Sequence, residues 1–300
     1  MYLFSFLKSL IKPKNALSTI YFLINSVIIF FIFYILPIEV IADEKWNPIV
    51  LGLIGLGFNA VFILISLSPI GEFFWRIRNK VYNSAPEEFA QYWQNANAVF
   101  EEVKNTAIQR GYKISNKVKL YYTPTNDLNA FALGHRTVII THAMMCIDPE
   151  YLKGVLAHEI GHIVNADGDL KLGINVSNGI LTIFLTVVSI ISNFIIGVFT
   201  GAQNGFMNVL GVIMNFLFNI VVLGLFTVWS YLGVLCVNST SRKCEYKADG
   251  FAKELGYGEQ LSAFLYALDG NAPKTSIFNL MYQTHPDTPD RIKALGYIAA

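Results

Sequence analysis

Between Leu172 and Ser241 the sequence contains no lysine, arginine, aspartate or glutamate. A soluble surface is not built that way, because exposed faces need charges of both signs to stay solvated. Charge is scarce throughout, at 14% of 300 residues, against about a quarter in an ordinary soluble domain. The charges nearly cancel, leaving +1, and no basic stripe is present. That excludes a nucleic-acid reader, which must neutralise phosphates. Cysteine is sparse too. Cys146, Cys236 and Cys244 are scattered with no CxxC pair, so no disulfide framework is encoded and a reducing compartment is allowed. Internal repeats and low-complexity linkers are also missing.

What remains is apolar, at 54% of the chain. Crossing a bilayer as a helix takes ~20 mostly apolar residues. Leu17–Leu36 and Pro48–Ile70 are two such runs. The uncharged stretch has room for two more, Leu172–Phe199 and Val209–Val237, with "TGAQNG" (Thr200 to Gly205) as the turn. All four exceed the usual length of a core helix. A cleaved signal peptide is a poor account of the first: the run is too long, and no small-x-small site precedes the acidic loop "PIEVIADEKWN". Lys8, Lys12 and Lys14 precede the first helix, Arg76, Arg78 and Lys80 follow the second, and Arg242 and Lys243 follow the fourth. Basic residues mark the cytoplasmic side, so both termini and the polar middle are expected there. Asn193, Asn215 and Asn219 within the later helices are expected to form interhelical hydrogen bonds.

The chain thus divides into an N-terminal membrane region (1–78), a polar piece (79–171), a transmembrane hairpin (172–237) and a second polar piece (238–300). Neither polar piece reads as a complete domain, and the two are expected to pack together on the membrane surface. In the first, "APEEFAQYWQNANAVFEEVKNTAIQRGY" has helical periodicity, with Phe89, Trp93, Phe100, Val103 and Ala107 on one face. Pro86 suits its first turn and Gly111 its end. "KVKLYYT" alternates like a strand, and "NAFALGHRTVIIT" reads as a hairpin turning near Gly134-His135-Arg136. A helix from about Pro149 follows.

That helix carries "HEIGH". At 100° per residue, positions i and i+4 project from nearly one face, so His158 and His162 can reach a single ion. Imidazole is a donor suited to Zn²⁺. Glu159, rotated by 100°, borders the metal without joining its ligands and can hold the proton of an attacking water. Gly161 leaves open space on the helix surface. The motif lies outside any spanning run, which counts against an intramembrane protease. His135 and His142 lack partners at ligand spacing and read as surface or turn residues.

Two histidines hold zinc weakly, and a catalytic site wants a third ligand with an open position for water. After the fourth apolar run, "NSTSRKCEYKADGFAKEL" places Glu245 and Asp249 four apart on a predicted helix. Glu245 can complete a His₂Glu set, and Asp249 can accept the other ring N–H of a ligand histidine. An ordinary solvated helix face, paired with Lys243 and Lys247, accounts for the same residues.

At this point the chain resembles a known family. "NAFALG" (Asn129 to Gly134), "HEIGH", "SRKCEYKAD" (Ser241 to Asp249) and "THPDTPDRI" (Thr284 to Ile292) occur in the order seen in HtpX-type membrane zinc endopeptidases, relatives of the CAAX prenyl proteases. The placing of the four apolar runs matches as well. Cys244 departs from the arginine usual in the family and is expected to pack rather than bind metal. The resemblance implies a mainly α membrane protein: four transmembrane helices plus a cytoplasmic α+β zincin-like (gluzincin) catalytic domain with a small β-sheet. It implies one Zn²⁺ per chain on His158, His162 and Glu245, with Asp249 behind them. Glu159 is then the catalytic base and His285 a donor to the oxyanion. Asn129, Ala130 and Phe131 on an edge strand, with Arg291, would bind substrate. The implied activity is hydrolysis of peptides or misfolded membrane proteins at the cytoplasmic face of the cell membrane, with the lipid bilayer as the other partner.

Two other readings compete. A non-catalytic zinc-binding scaffold would lack Glu159 or close its site with a fourth ligand, and neither feature is evident. A prenyl-protein-type protease with a dedicated substrate usually has more membrane helices than four. A transporter would need ionisable groups inside its membrane helices.

Overall fold

The computed structural model describes residues 2–35, 46–201, 205–269 and 288–296. The expected oxyanion donor His285 lies outside them, as do most of the acidic loop and the centre of the 200–205 turn. The chain forms two compact units. One comprises Met1–Thr19, Leu64–Leu172 and Val237–Ala300, and the other Ile20–Ile63 and Gly173–Cys236.

Along the chain run α1 (Tyr2–Leu10), α2 (Ala16–Tyr34), α3 (Pro48–Leu67) and α4 (Pro69–Arg78). The second apolar run was expected to continue to Ile70, but α3 stops at Leu67. Ser68 leaves helical geometry and its hydroxyl accepts from the backbone N–H groups of Ile70 and Gly71, while Pro69 opens α4. A serine cap followed by proline starts a new helix whatever the hydropathy. Next come α5 (Ala90–Gln109), β1 (Lys119–Thr123), β2 (Ala130–Leu133), β3 (Thr137–Thr141), α6 (His142–Met145) and α7 (Pro149–Asn165). The chain ends with α8 (Gly168–Gly201), α9 (Phe206–Glu254), α10 (Gly258–Asp269) and α11 (Thr288–Leu295). The third and fourth spanning helices are longer than read from sequence. Helix α9 runs unbroken through 237–238, and the division between the two units falls within it, between Cys236 and Val237.

The first unit has one apolar core. Phe100, Val103 and Ala107 of α5, Val138 and Ile140 of β3, and Leu156 and Ile160 of α7 are fully buried in it. The sheet order is β1-β3-β2, with β3 buried along its length between parallel β1 and antiparallel β2. Gly134 takes φ +59 at the hairpin turn, a conformation that glycine adopts without steric cost. That leaves β2 as an edge strand.

The second unit is a cluster of apolar helices. Among the described residues, four helical stretches are long and apolar enough to cross a bilayer: Pro13–Tyr34, Pro48–Leu67, Gly168–Ile191 and Val209–Glu254. With no water in hydrocarbon, polar side chains there pair with each other. Tyr21 stacks on Trp229 at 4.6 Å, Trp229 donates to Asn25 Oδ1 at 3.0 Å, and Ser177 donates to Asn59 Oδ1 at 2.9 Å. The expected interhelical bonding of Asn219 is present, with Ser189 donating to it at 2.6 Å.

Candidate metal centre

Helix α7 begins with Asp148, whose carboxylate accepts from Glu150 N, followed by Pro149. It ends at Ala166, which takes the left-handed conformation (φ 51, ψ 48). Between these caps it is buried on nearly every side, because α5, α9, α10 and the sheet all contribute to the core around it. Gly161 is where α9 comes close. A Cβ there would stand 3.1 Å from Ala248 Cα and 3.1 Å from the Phe251 ring. The open space expected at this glycine is filled by backbone of the helix that carries Glu245 and Asp249.

Three side chains meet at that crossing. His158 Nε2 and His162 Nε2 lie 3.1 Å apart, Glu245 Oε2 is 3.2 Å from the first, and Glu245 Oε1 is 3.4 Å from the second. Bonds of about 2.0–2.2 Å in a tetrahedral zinc site put neighbouring ligand atoms roughly 3.3–3.5 Å apart. The two imidazole nitrogens and the Glu245 carboxylate, which meets one ring with each oxygen, are thus near enough to share such an ion, and among the described residues they form the one cluster able to hold a metal. Glu159 stands outside the triplet, as its 100° offset requires.

The other ring nitrogens face outward to carboxylates. His158 Nδ1 is 2.8 Å from Asp249 Oδ1. Asp249 in turn accepts from Arg291 twice, from Nε at 2.9 Å and from Nη2 at 2.6 Å. His162 Nδ1 is 3.4 Å from Asp167 Oδ2, and Lys14 Nζ donates to Asp167 Oδ1 at 2.7 Å. Burial opposes protonation of both imidazoles, yet the neighbouring carboxylates outweigh it. His158 is shifted upward, and His162 is pushed up to about 10 by Asp167, Glu245 and Glu159. The pocket's field thus favours a cation between the rings.

Beside the triplet runs a groove lined by Asn129, Ala130 and Phe131 of the β2 segment, with Glu159, His162 and Glu245 on its other side. Arg291, grouped with the substrate residues on resemblance, is placed differently. It is 7% exposed, bonded to Asp249, and does not line the groove. Cys244 is buried and its sulfur is 3.2 Å from Lys14 Nζ. His135 is no bare turn residue, for its Nε2 lies 2.9 Å from buried Asp169. His142 contacts Tyr122 and packs on Phe89.

Sequence reasoning passed over Asp167 and Lys14. Asp167 follows His162 closely enough to fold back on it once α7 ends at Ala166, and "HIVNAD" held that signal. Nothing local marks Lys14, which lies 153 positions from its partner.

Two histidines one helical turn apart, a glutamate beside them and a carboxylate from a distant helix define a metallopeptidase centre. The model of Peptidase family M48 matches residues 94–299, and the chain belongs to that family. With its spanning helices it is a multi-pass membrane metalloprotease. Within the family it is similar to Protease HtpX of Shewanella baltica, at 27% identity over 265 residues, covering 80% of this chain and 84% of that protein. Protease HtpX homolog of Campylobacter concisus is 27% identical over 270 residues, covering 80% and 86%. Protease HtpX of Yersinia pestis is 26% identical over 272 residues, covering 82% and 85%. The crystal structure of S. mikatae Ste24p aligns at 18% identity with a TM-score of 0.46, covering 80% of this chain and 57% of that one.

Proposed function

We propose that the protein is a zinc metalloendopeptidase that cleaves misfolded or damaged membrane proteins at the cytoplasmic face of the cell membrane. The observation that carries this reading is the 3.1–3.4 Å triangle of His158, His162 and Glu245 beside a groove edged by β2. These three residues would hold one Zn²⁺, with Asp249 and Asp167 fixing the tautomers of the two imidazoles. Zinc in that position supplies Lewis acidity and brings the pKa of water down to about 7.

The rest is done by the chain's own groups. Glu159 takes the proton of the attacking water and returns it to the leaving amine. No Ser or Cys nucleophile is needed. Asn129, whose own N–H and C=O are bound to Thr141, leads into Ala130 and Phe131 of β2, a sheet edge along which an extended peptide aligns as an added strand. Arg291 acts from behind, neutralising Asp249 and holding it against His158. The basic clusters at Lys8 to Lys14, Arg76 to Lys80 and Arg242–Lys243 support a cytoplasmic site and termini. Substrates in the same bilayer are the ones such a tethered site meets most often.

Glu159→Gln tests the assignment. Hydrolysis of a model substrate by the detergent-purified protein should fall by at least about 10³-fold while zinc content stays near one ion per chain. A wild-type rate in that variant removes Glu159 as the base, and activity that survives full chelation removes the metal.

A further inference from the structure

Helix α4 has two faces with opposite chemistry. At 100° per residue, Ile70, Phe73, Phe74 and Ile77 fall within an arc of about 100°. All four are at least half exposed, at 50–63%. On the opposite arc are Glu72, Trp75 and Arg76, and these grip the sheet. Glu72 is buried and accepts from His135 N and Thr137 Oγ1, each at 2.9 Å. Trp75 meets Phe131 edge-on at 5.8 Å, and the Arg76 guanidinium lies 4.1 Å over the Tyr121 ring. A cluster of four exposed large apolar side chains on a ten-residue helix is more than scattered surface hydrophobicity.

The chain's path says what covers that face. Only Ser68 separates α4 from the end of α3, one of the spanning helices. A residue advances the chain by about 3.8 Å, so α4 starts where the chain leaves the hydrocarbon. Gly71 shows that the turn there is tight, since a Cβ would stand 2.3 Å from Ser66 O and 2.6 Å from Ile65 O. The apolar face therefore begins where the chain meets the bilayer surface, and exposed Arg78 flanks it as a partner for phosphate headgroups.

We propose that α4 lies in the bilayer interface with phospholipid as its partner, and that its other face thereby holds β2 and the groove at the membrane surface. The lipid contact stands on the helix alone. The consequence for cleavage rests on the peptidase reading above.

Two measurements test it. The first incorporates p-benzoylphenylalanine at Phe74 in the full chain, reconstituted in phosphatidylethanolamine–phosphatidylglycerol vesicles, with Phe62 of α3 as the lipid-facing reference. Illumination should give an adduct of one phospholipid mass at both positions. Capture of a second copy of the chain at Phe74, or no adduct there while Phe62 reacts, overturns the proposal. The second introduces Phe73→Glu with Phe74→Glu. Cleavage of a substrate anchored in the same vesicles should drop about tenfold, and cleavage of a soluble peptide should stay within about twofold. The paired leucine replacements should restore the anchored rate. Equal loss on both substrates, or no loss on either, overturns the role in holding the groove. A wild-type protein that cleaves neither substrate sinks the peptidase reading and leaves the crosslinking result to stand or fall by itself.

Discussion

The two imidazoles of the centre point alike and are supported unalike. Behind His158, Asp249 and Arg291 form a doubly hydrogen-bonded pair, both nearly sealed from solvent. Behind His162, which borders the groove, Asp167 is held by one lysine from the chain's N-terminal segment, across a longer 3.4 Å contact. Each carboxylate faces one ring nitrogen and leaves the other directed at Glu245. A closed support is rigid and costly to damage, because a buried charge that loses its partner has no water to turn to. The Asp167 side chain is also buried, at 5%, but a support held by one lysine bond in place of a paired guanidinium is cheaper to disturb.

Glu245 is common to both halves, so removing it should erase the difference between them. In Glu245→Ala, bound zinc and proteolysis should both be lost, with metal content measured by atomic emission on the purified protein. Full occupancy in that variant transfers the third ligand to another residue. Asp249→Ala strikes only the closed half. It strands Arg291 and should destabilise the first unit by about 3–5 kcal/mol, seen as a large fall in Tm. Metal affinity should weaken by about 100-fold. Asp167→Asn strikes the open half. Its cost should be nearer tenfold in metal affinity, with little change in Tm. Equal effects of the last two substitutions would mean that the paired bonding of Asp249 to Arg291 does not distinguish the two supports.

These supports also mark how far the sequence could be read. The spans, the hairpin and "HEIGH" were legible because each rests on local periodicity: apolar length, alternation, and the i, i+4 geometry of a helix. Glu245 and Asp249 needed the family resemblance, since two carboxylates four apart also describe a solvated helix face. The structure buries both. The partners of Lys14 and Glu72 could not be read at all. They lie 153 and 63 to 65 positions away, and only the tertiary fold brings them together. The end of α3 was a different error. Ser68-Pro69 is a local signal, and apolar continuity through Ile70 hid it. The bond of Arg291 to Asp249 was not legible, because its motif gives neighbours in sequence, whereas its burial depends on which face of α11 meets Asp249.

The smallest effect separates position from chemistry. Alanine at Gly161 adds no polar group and removes none, and in an isolated helix it stabilises by about 1 kcal/mol. Here the added methyl meets Ala248 Cα at 3.1 Å, and a backbone atom cannot rotate aside. Overpacking costs typically 1–3 kcal/mol, so the net stability change should be near zero to about 2 kcal/mol unfavourable. The useful comparison is Gly154→Ala, two turns away on nearly the same face of α7, where the methyl would meet Leu261 N at 2.3 Å. That clash is the more severe but lies against α10, which carries none of the three donors. Gly154→Ala should therefore lower Tm more, and Gly161→Ala should lower zinc affinity more, because it pushes against the helix that carries Glu245. Parallel losses of Tm and zinc affinity in the two variants would show that the centre depends on the stability of α7 alone and not on how closely α9 crosses it.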